Sequence, residues 1–321
     1  MNLKQLEYFV HVAELGSFSK AALVLDIAQP ALSRQVRALE IELRETLLLR
    51  NGRGVSLTEP GKRLLEHSVG ILQLVTRARE DMGATRDEPV GRIVIGLPPS
   101  ISRQLTLPLI DSFKRTLPRA RLAIVEGLSA HVAEWIVTGR VDLGLLLNPE
   151  AQPSLDITPV LEEDLCLVER APKARAKRGA DAAGKPQRKG RQPSTRAPLR
   201  LTELPHYPLI VPERSHAIRR LLETQAALAG IKLDIAWEVS SIPSIIDLVS
   251  AGYGYAVLSA SAVHASTRAA DLKVRPVCEP RLTSVLCLAA SAHKRPTPLT
   301  RHAGRLLTEL VHALPVEPGR H

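Results

Sequence analysis

Over the first sixty residues, apolar positions recur at helical spacing in three short bursts. Leu3, Leu6, Phe9, Val10 and Ala13 share one face, and Gly16 follows as a stop. Ser19 suits the N-cap of a second helix running to Leu25, in which Ala21 and Ala22 permit close packing. The connection Asp26-Ile27-Ala28 leads to a third helix, with Pro30 at its first position, where a missing N–H costs nothing. Along it Leu32, Val36, Leu39 and Leu43 form an inward stripe, and Gln29, Ser33, Arg34 and Arg37 fall on other faces. Arg50 to Leu57 reads as a hairpin, since Asn51-Gly52 and Gly54 supply the positive-φ positions of a tight turn. From Glu59 to Asp87 one long helix is predicted, with Leu64, Leu65, Ile71, Leu72, Val75, Ala78 and Met82 at roughly heptad spacing. Such a stripe on a small domain needs a partner, which points to dimerisation.

Beyond Gly91 the period changes. Strands are predicted at Arg92–Leu97, Leu122–Val125, Val141–Leu147, Leu165–Glu169, Leu209–Pro212, Asp234–Val239, Tyr255–Leu258 and Val285–Ala290. Helices alternate with them at Thr106–Thr116, Ala130–Thr138, His216–Ala229, Ile242–Ser250 and Leu299–Leu314. That alternation predicts an α/β architecture with a mainly parallel sheet, and the number of strands predicts two linked subdomains.

A chain of 321 residues accommodates this division, each part with its own core. Aromatics make up 3%, which argues against stacking on single strands. Cys166, Cys278 and Cys287 are too few and too scattered for a disulfide framework or a zinc site. The net charge of +10 is misleading. Residues 170–198 hold ten Lys and Arg against Asp181, so nearly all of that excess is local, and residues 1–88 balance twelve against twelve. Net charge is therefore no evidence for a nucleic-acid partner. The basic segment has almost no large apolar residue and reads as a disordered insert that either spaces or adds nonspecific DNA affinity. The N-terminal residues carry charge where an export signal needs an apolar core, and no apolar run has the length of a membrane span, so a cytoplasmic protein is expected.

The stretch LKQLEYFVHVAELGSFSKAALVLDIAQPALSRQVRALEIEL resembles the DNA-binding module of LysR-type regulators, and RNGRGVSLTEPGKRLLEH resembles that family's wing and linker helix. PRARLAIVEGLSAHVAEWIVTGRVDLGLL and LVSAGYGYAVLS are similar to the two halves of its effector domain, with some likeness there to nitrogen-assimilation-control regulators. Departures are Arg44 where the family usually has Gly, Leu48 where it has Phe, and the basic insert. The resemblance implies an α/β protein with an N-terminal all-α winged helix-turn-helix and a two-subdomain, periplasmic-binding-protein-like effector domain. On this reading residues 1–58 are the DNA-binding domain and 59–90 the linker helix. Subdomain I takes 91–161 and 267–321, and subdomain II takes 162–266. Expected partners are double-stranded DNA, a small effector of anionic character, a second copy in a homodimer or homotetramer, and RNA polymerase. No membrane, cofactor, metal or catalytic residue is expected.

At the start of the third helix, Gln29 suits adenine, Arg34 suits guanine, and Pro30 suits a thymine methyl, with Ser33 beside them. Arg37, Arg50 and Arg53 are placed for phosphates. In the sensor, Ser100, Ser102 and Ser129 precede predicted helices, where a hydroxyl serves equally as N-cap or anion contact, and they match effector positions of the family. Asn148, Pro212 and Ser241 lie where opposing strands should end. Three rival readings have less support. An enzyme lacks a nucleophile elbow, phosphate loop or zinc cluster. A solute-binding protein has no use for residues 1–90. A thiol-based redox sensor has only Cys278 in a loop, beside Glu279, which does not activate it.

Overall fold

The computed structural model describes residues 1–51, 54–83, 89–172 and 198–314. Three helices build the N-terminal unit: α1 (Leu3–Leu15), α2 (Phe18–Val24) and α3 (Gln29–Leu43). α1 opens in a capping box, Asn2 and Gln5 each accepting the other's backbone N–H at 2.9 Å. The cap of α2 is Ser17 rather than the expected Ser19. Its Oγ accepts from the Lys20 N–H at 3.3 Å, and burial of Phe18 draws the helix start inward. α3 begins at Gln29, which moves Pro30 to its second position. Leu32, Val36 and Leu39 are buried against Phe9, Val12 and Ala21, as their spacing requires.

α3 ends at Arg44, held in the left-handed region at φ 55°. Glu40 then accepts the N–H groups of Leu47 and Leu48 at 2.9 and 3.2 Å, turning the chain into the wing. The wing pairs β1 (Leu48–Asn51) antiparallel with β2 (Gly54–Leu57), and the Val55 N–H ties it to the Gly16 carbonyl at 2.9 Å. Leu48, replacing the family's Phe, is buried in the same core.

α4 (Glu59–Gly83) starts where Thr58 Oγ1 accepts from the Gly61 N–H at 3.0 Å. The stripe expected to face a partner is divided. Leu64, Leu65 and Ile71 pack on the N-terminal core, Leu72 and Val75 are half-buried, and Ala78 is exposed. The Met82 side chain lies outside the described residues. Two glycines allow α4 its close contacts. A Cβ on Gly61 would stand 2.1 Å from the Leu47 carbonyl oxygen, and one on Gly70 would stand 2.0 Å from that of Thr138. α4 is thus fitted to both the wing unit and the sensor.

The first sensor lobe contains β3 (Gly91–Leu97), α5 (Pro99–Thr116), β4 (Ala120–Glu126), α6 (Ser129–Thr138) and β5 (Leu143–Leu147). β6 (Leu155–Arg170) then runs on from it into the second lobe. There follow β7 (Leu199–Arg200), β8 (Leu209–Val211), α7 (Ala217–Leu228), β9 (Ile235–Glu238), α8 (Ile242–Ala251), β10 (Ala256–Ser259), α9 (Ala260–His264) and β11 (Leu272–Cys278). The chain returns through β12 (Thr283–Ser291) and closes the first lobe with α10 (Pro298–His312). α5 and α10 cover one face of the first sheet and α6 the other.

The sheet is mixed, not mainly parallel. β3 is parallel to β4 and β5, but β12 is antiparallel to β5 and β6, and β6 is antiparallel to β10 and β11. The cause is β6, a single 16-residue strand that begins in one lobe and ends in the other, with β12 returning beside it. Leu272, Val277 and Leu282 belong to the second lobe's core, so the return crossing falls after β11 and not at residue 267. Of the basic insert, residues 173–197 lie outside the described residues. No described helix is long and apolar enough to cross a membrane.

Candidate nucleic-acid interface and inter-lobe cleft

Gln29, Pro30, Arg34 and Arg37 are exposed together at the outer face of α3, with Ser33 half-buried between them. Their spacing of three or four residues makes them neighbours on one side of the helix. The opposite side is held by Leu32, Val36 and Leu39, which fixes the direction in which the polar face looks. The Met1 amino group pairs with Glu42, tying the far end of α3 to the start of α1. Arg50 occupies β1 opposite Val55, but its side chain and all of Arg53 lie outside the described residues. A helix with an exposed polar face beside a two-stranded hairpin is the combination by which winged helices meet a groove.

Between the lobes a small cavity of about 20 Å³ collects the ends of many elements. Ser100, Ile101 and Gln104 come from the first turns of α5, Glu163 from β6, Ile242 from α8, and Ser284 from β12. A second cavity of about 70 Å³ adjoins it at the mouth, with Ser100, Ile242 and Ala262 common to both and Arg103 and Asp247 on the rim. The inner volume has room for about one water. A roomier cavity of about 270 Å³ lies elsewhere, between α4 and the first lobe, lined by Leu74, Arg92, Asp142 and Lys294 among others. The inter-lobe cleft is nevertheless where strand ends and helix N-termini converge, the usual place for a ligand in such sheets.

Of the six sensor residues expected at the cleft, only Ser100 lines it. Ser102 is inside α5 and buried, its Oγ 2.7 Å from Glu126 Oε1 and 3.0 Å from Thr106 Oγ1. α5 starts at Pro99 rather than Thr106, which carries both serines into the helix. Ser129 Oγ accepts from the Leu147 N–H at 2.9 Å, pinning α6 to β5. Asn148, at φ 45°, clamps β5 to β12 by accepting from the Val285 N–H at 2.7 Å. Pro212 is buried and its carbonyl accepts from Arg219 at 3.3 Å. Ser241 is exposed and precedes α8 without a side-chain cap bond. The polar atoms of Ser102, Ser129 and Asn148 are thus occupied in holding the first lobe together.

Gln104, Glu163, Ser259, Ser261 and Ser284 line the cleft without having been singled out. Among the described residues Glu163 is the one charged member of the inner lining, and it is acidic where an anionic effector was expected. The Ser261 N–H and hydroxyl donate to its two oxygens at 3.0 and 2.7 Å. Glu162, Glu163 and Asp164 precede the strand expected at Leu165–Glu169, so no signal in the sequence placed Glu163 facing inward.

All three cysteines are free thiols. Cys166 and Cys287 are buried on separate strands, burial pushes the Cys287 thiol up, and Cys278 is half-buried. Among the described residues no group of His, Cys, Asp and Glu is arranged to hold a metal.

Residues 3–62 match the model for the bacterial regulatory helix-turn-helix protein, lysR family, and residues 86–311 match that for the LysR substrate binding domain. The nitrogen assimilation regulatory protein nac of Klebsiella aerogenes is 29% identical over 97% of this chain and 95% of its own length. A full-length OxyR variant from Pseudomonas aeruginosa has the same fold at a TM-score of 0.68 and 22% identity, covering 100% of this chain and 99% of that one. CbnR complexed with its target DNA gives 0.52 at 22% identity, covering 97% and 99%.

Proposed function

The chain belongs to the LysR family of DNA-binding transcriptional regulators, and from that premise we propose that α3 reads a specific operator while the inter-lobe cleft takes the effector. The observation that carries the first half is the exposed row Gln29, Pro30, Arg34 and Arg37 on a helix whose other side is locked in a core. Gln29 and Arg34 would pair bidentately with adenine and guanine, and Pro30 would touch a thymine methyl. Ser33, beside them, would contact a base edge or a neighbouring phosphate. Arg37, with Arg50 and Arg53 of the wing, would neutralise phosphates. Effector binding to Ser100 and its neighbours would close the lobes, and α4, packed on α6, would pass the change to the wing unit.

A twofold pair suits these parts. Leu72, Val75 and Ala78 on α4 remain for a seam. Leu107 and Ile110 on the first lobe, and Leu228, Ile235 and Trp237 on the second, are exposed apolar residues. Two different patches on one chain can each meet the other kind when two copies run antiparallel. The assembly would act on the chromosome in the cytoplasm, without a catalytic role.

Selection of bound duplexes from a random pool, with and without a metabolite mixture, tests the proposal. One enriched, pseudo-twofold sequence is expected, with half-sites a whole number of turns apart and an affinity that metabolites change. Failure to enrich any sequence overturns it.

A further inference from the structure

Among the described residues the inner cleft is lined by apolar side chains, hydroxyls, the Gln104 amide and one charged group, Glu163, with no Lys, Arg or His. Among the described residues the Glu163 carboxylate has one partner, Ser261, which donates to each oxygen once. Two oxygens carry about four acceptor sites, so half the capacity of a cavity-lining carboxylate remains for a ligand. A purely anionic ligand would place like charges together in a confined, poorly solvated space. A protonated amine would instead complete the carboxylate's hydrogen bonding and its charge.

The outer cavity has a different character. Arg103 stands at its first-lobe rim, while its acidic residue, Asp247, already faces Arg268 at 3.6 Å. Ser100 lies between the two regions and lines both. Going inward, the charge order is therefore guanidinium, hydroxyl, carboxylate. Leu147, Leu161 and Leu286 supply a small apolar wall beside Glu163.

We propose that the effector is a small amine-bearing molecule, best complemented as an aminocarboxylate, with its ammonium against Glu163 and its carboxylate toward Arg103. This deepens the reading of the cleft as the effector site and rests on it. Since the inner cavity admits only about one water, the lobes must part at β6 and residues 279–282 for the ligand to enter.

Calorimetry on the full-length protein tests this, using the proteinogenic amino acids, simple primary amines and the matching carboxylates that lack the amino group. Three proteins are compared: the wild type, Glu163→Gln and the cleft-filling Ser100→Trp. Gln at 163 keeps the shape and can accept from the Ser261 N–H while its amide N–H donates to the Ser261 hydroxyl, so an unchanged melting temperature is the check on folding. At least one amine-bearing compound should bind at millimolar concentration or better. Its affinity should fall about tenfold or more in Glu163→Gln, its deaminated counterpart should be about tenfold weaker on the wild type, and Ser100→Trp should abolish binding. A carboxylate that binds as well as its amino parent, and is lost in Ser100→Trp, overturns the amine preference while leaving the cleft as the effector site. Binding untouched by Ser100→Trp removes the cleft itself. No binding by any amine overturns the proposal.

Discussion

Arg34 stands about one turn beyond Gln29 on the exposed face of α3, free of the core that holds its neighbour Leu32. If it reads a guanine, Arg34→Ala costs about 1–3 kcal/mol at the selected duplex and relaxes preference at that base. Titration of labelled duplex with both proteins measures this, and equal affinity removes Arg34 from the reading face. Arg44 carries a different strain. A side chain at φ 55° pays for a conformation that glycine takes without penalty. Arg44→Gly is expected to raise stability by about 0.5–1 kcal/mol, read from the midpoint of urea unfolding. His216 contributes a pH response. Its Nδ1 accepts from the Ile218 N–H at 3.3 Å, which requires that nitrogen unprotonated. Burial first, then Arg220, lowers its pKa from 6.5, with Glu213 opposing. A lowered folded pKa means the unfolded chain takes the proton more readily. The stability from His216 is therefore full above about pH 6.5 and lost as pH falls through the lowered value. His216→Asn keeps an acceptor at the cap and should flatten the acid side of the melting profile.

At the level of elements, α4 is the part most exposed to a single change. A Cβ on Gly70 would meet a backbone carbonyl that cannot swing aside. Gly70→Ala should cost about 1–3 kcal/mol, well beyond an exposed Gly→Ala change, and melting temperatures of the two would show it. The same helix shows why part of the fold was legible and part was not. Helical periodicity located α3 and its inward stripe because one core decides both. Periodicity also found α4, but it could not tell a residue facing a second chain from Leu64, Leu65 and Ile71 facing the wing unit. β6 was recognised only over its apolar end, since LDITPVLEED carries too much charge to read as a buried strand. That omission hid Glu163 and the antiparallel return of β12. Ser100 lines the cleft, but Ser102 does not, for a local reason: α5 starts at Pro99, so Ser102 is buried within the helix and bonded to Glu126 instead of facing the cleft.

For the whole molecule, the separation of charge matters more than its total. With residues 170–198 set aside, the chain is close to neutral, so specific binding depends on a few side chains of α3 and the wing. Counterion release from a general basic surface would favour all duplexes alike. The most direct measurement is competition at about 150 mM salt between the selected duplex and a scrambled one of equal length and composition. A preference of about a thousandfold or more for the selected duplex is expected, lost when Gln29 and Arg34 are both replaced by Ala. Equal binding to the two duplexes by the intact protein would mean that α3 reads no sequence.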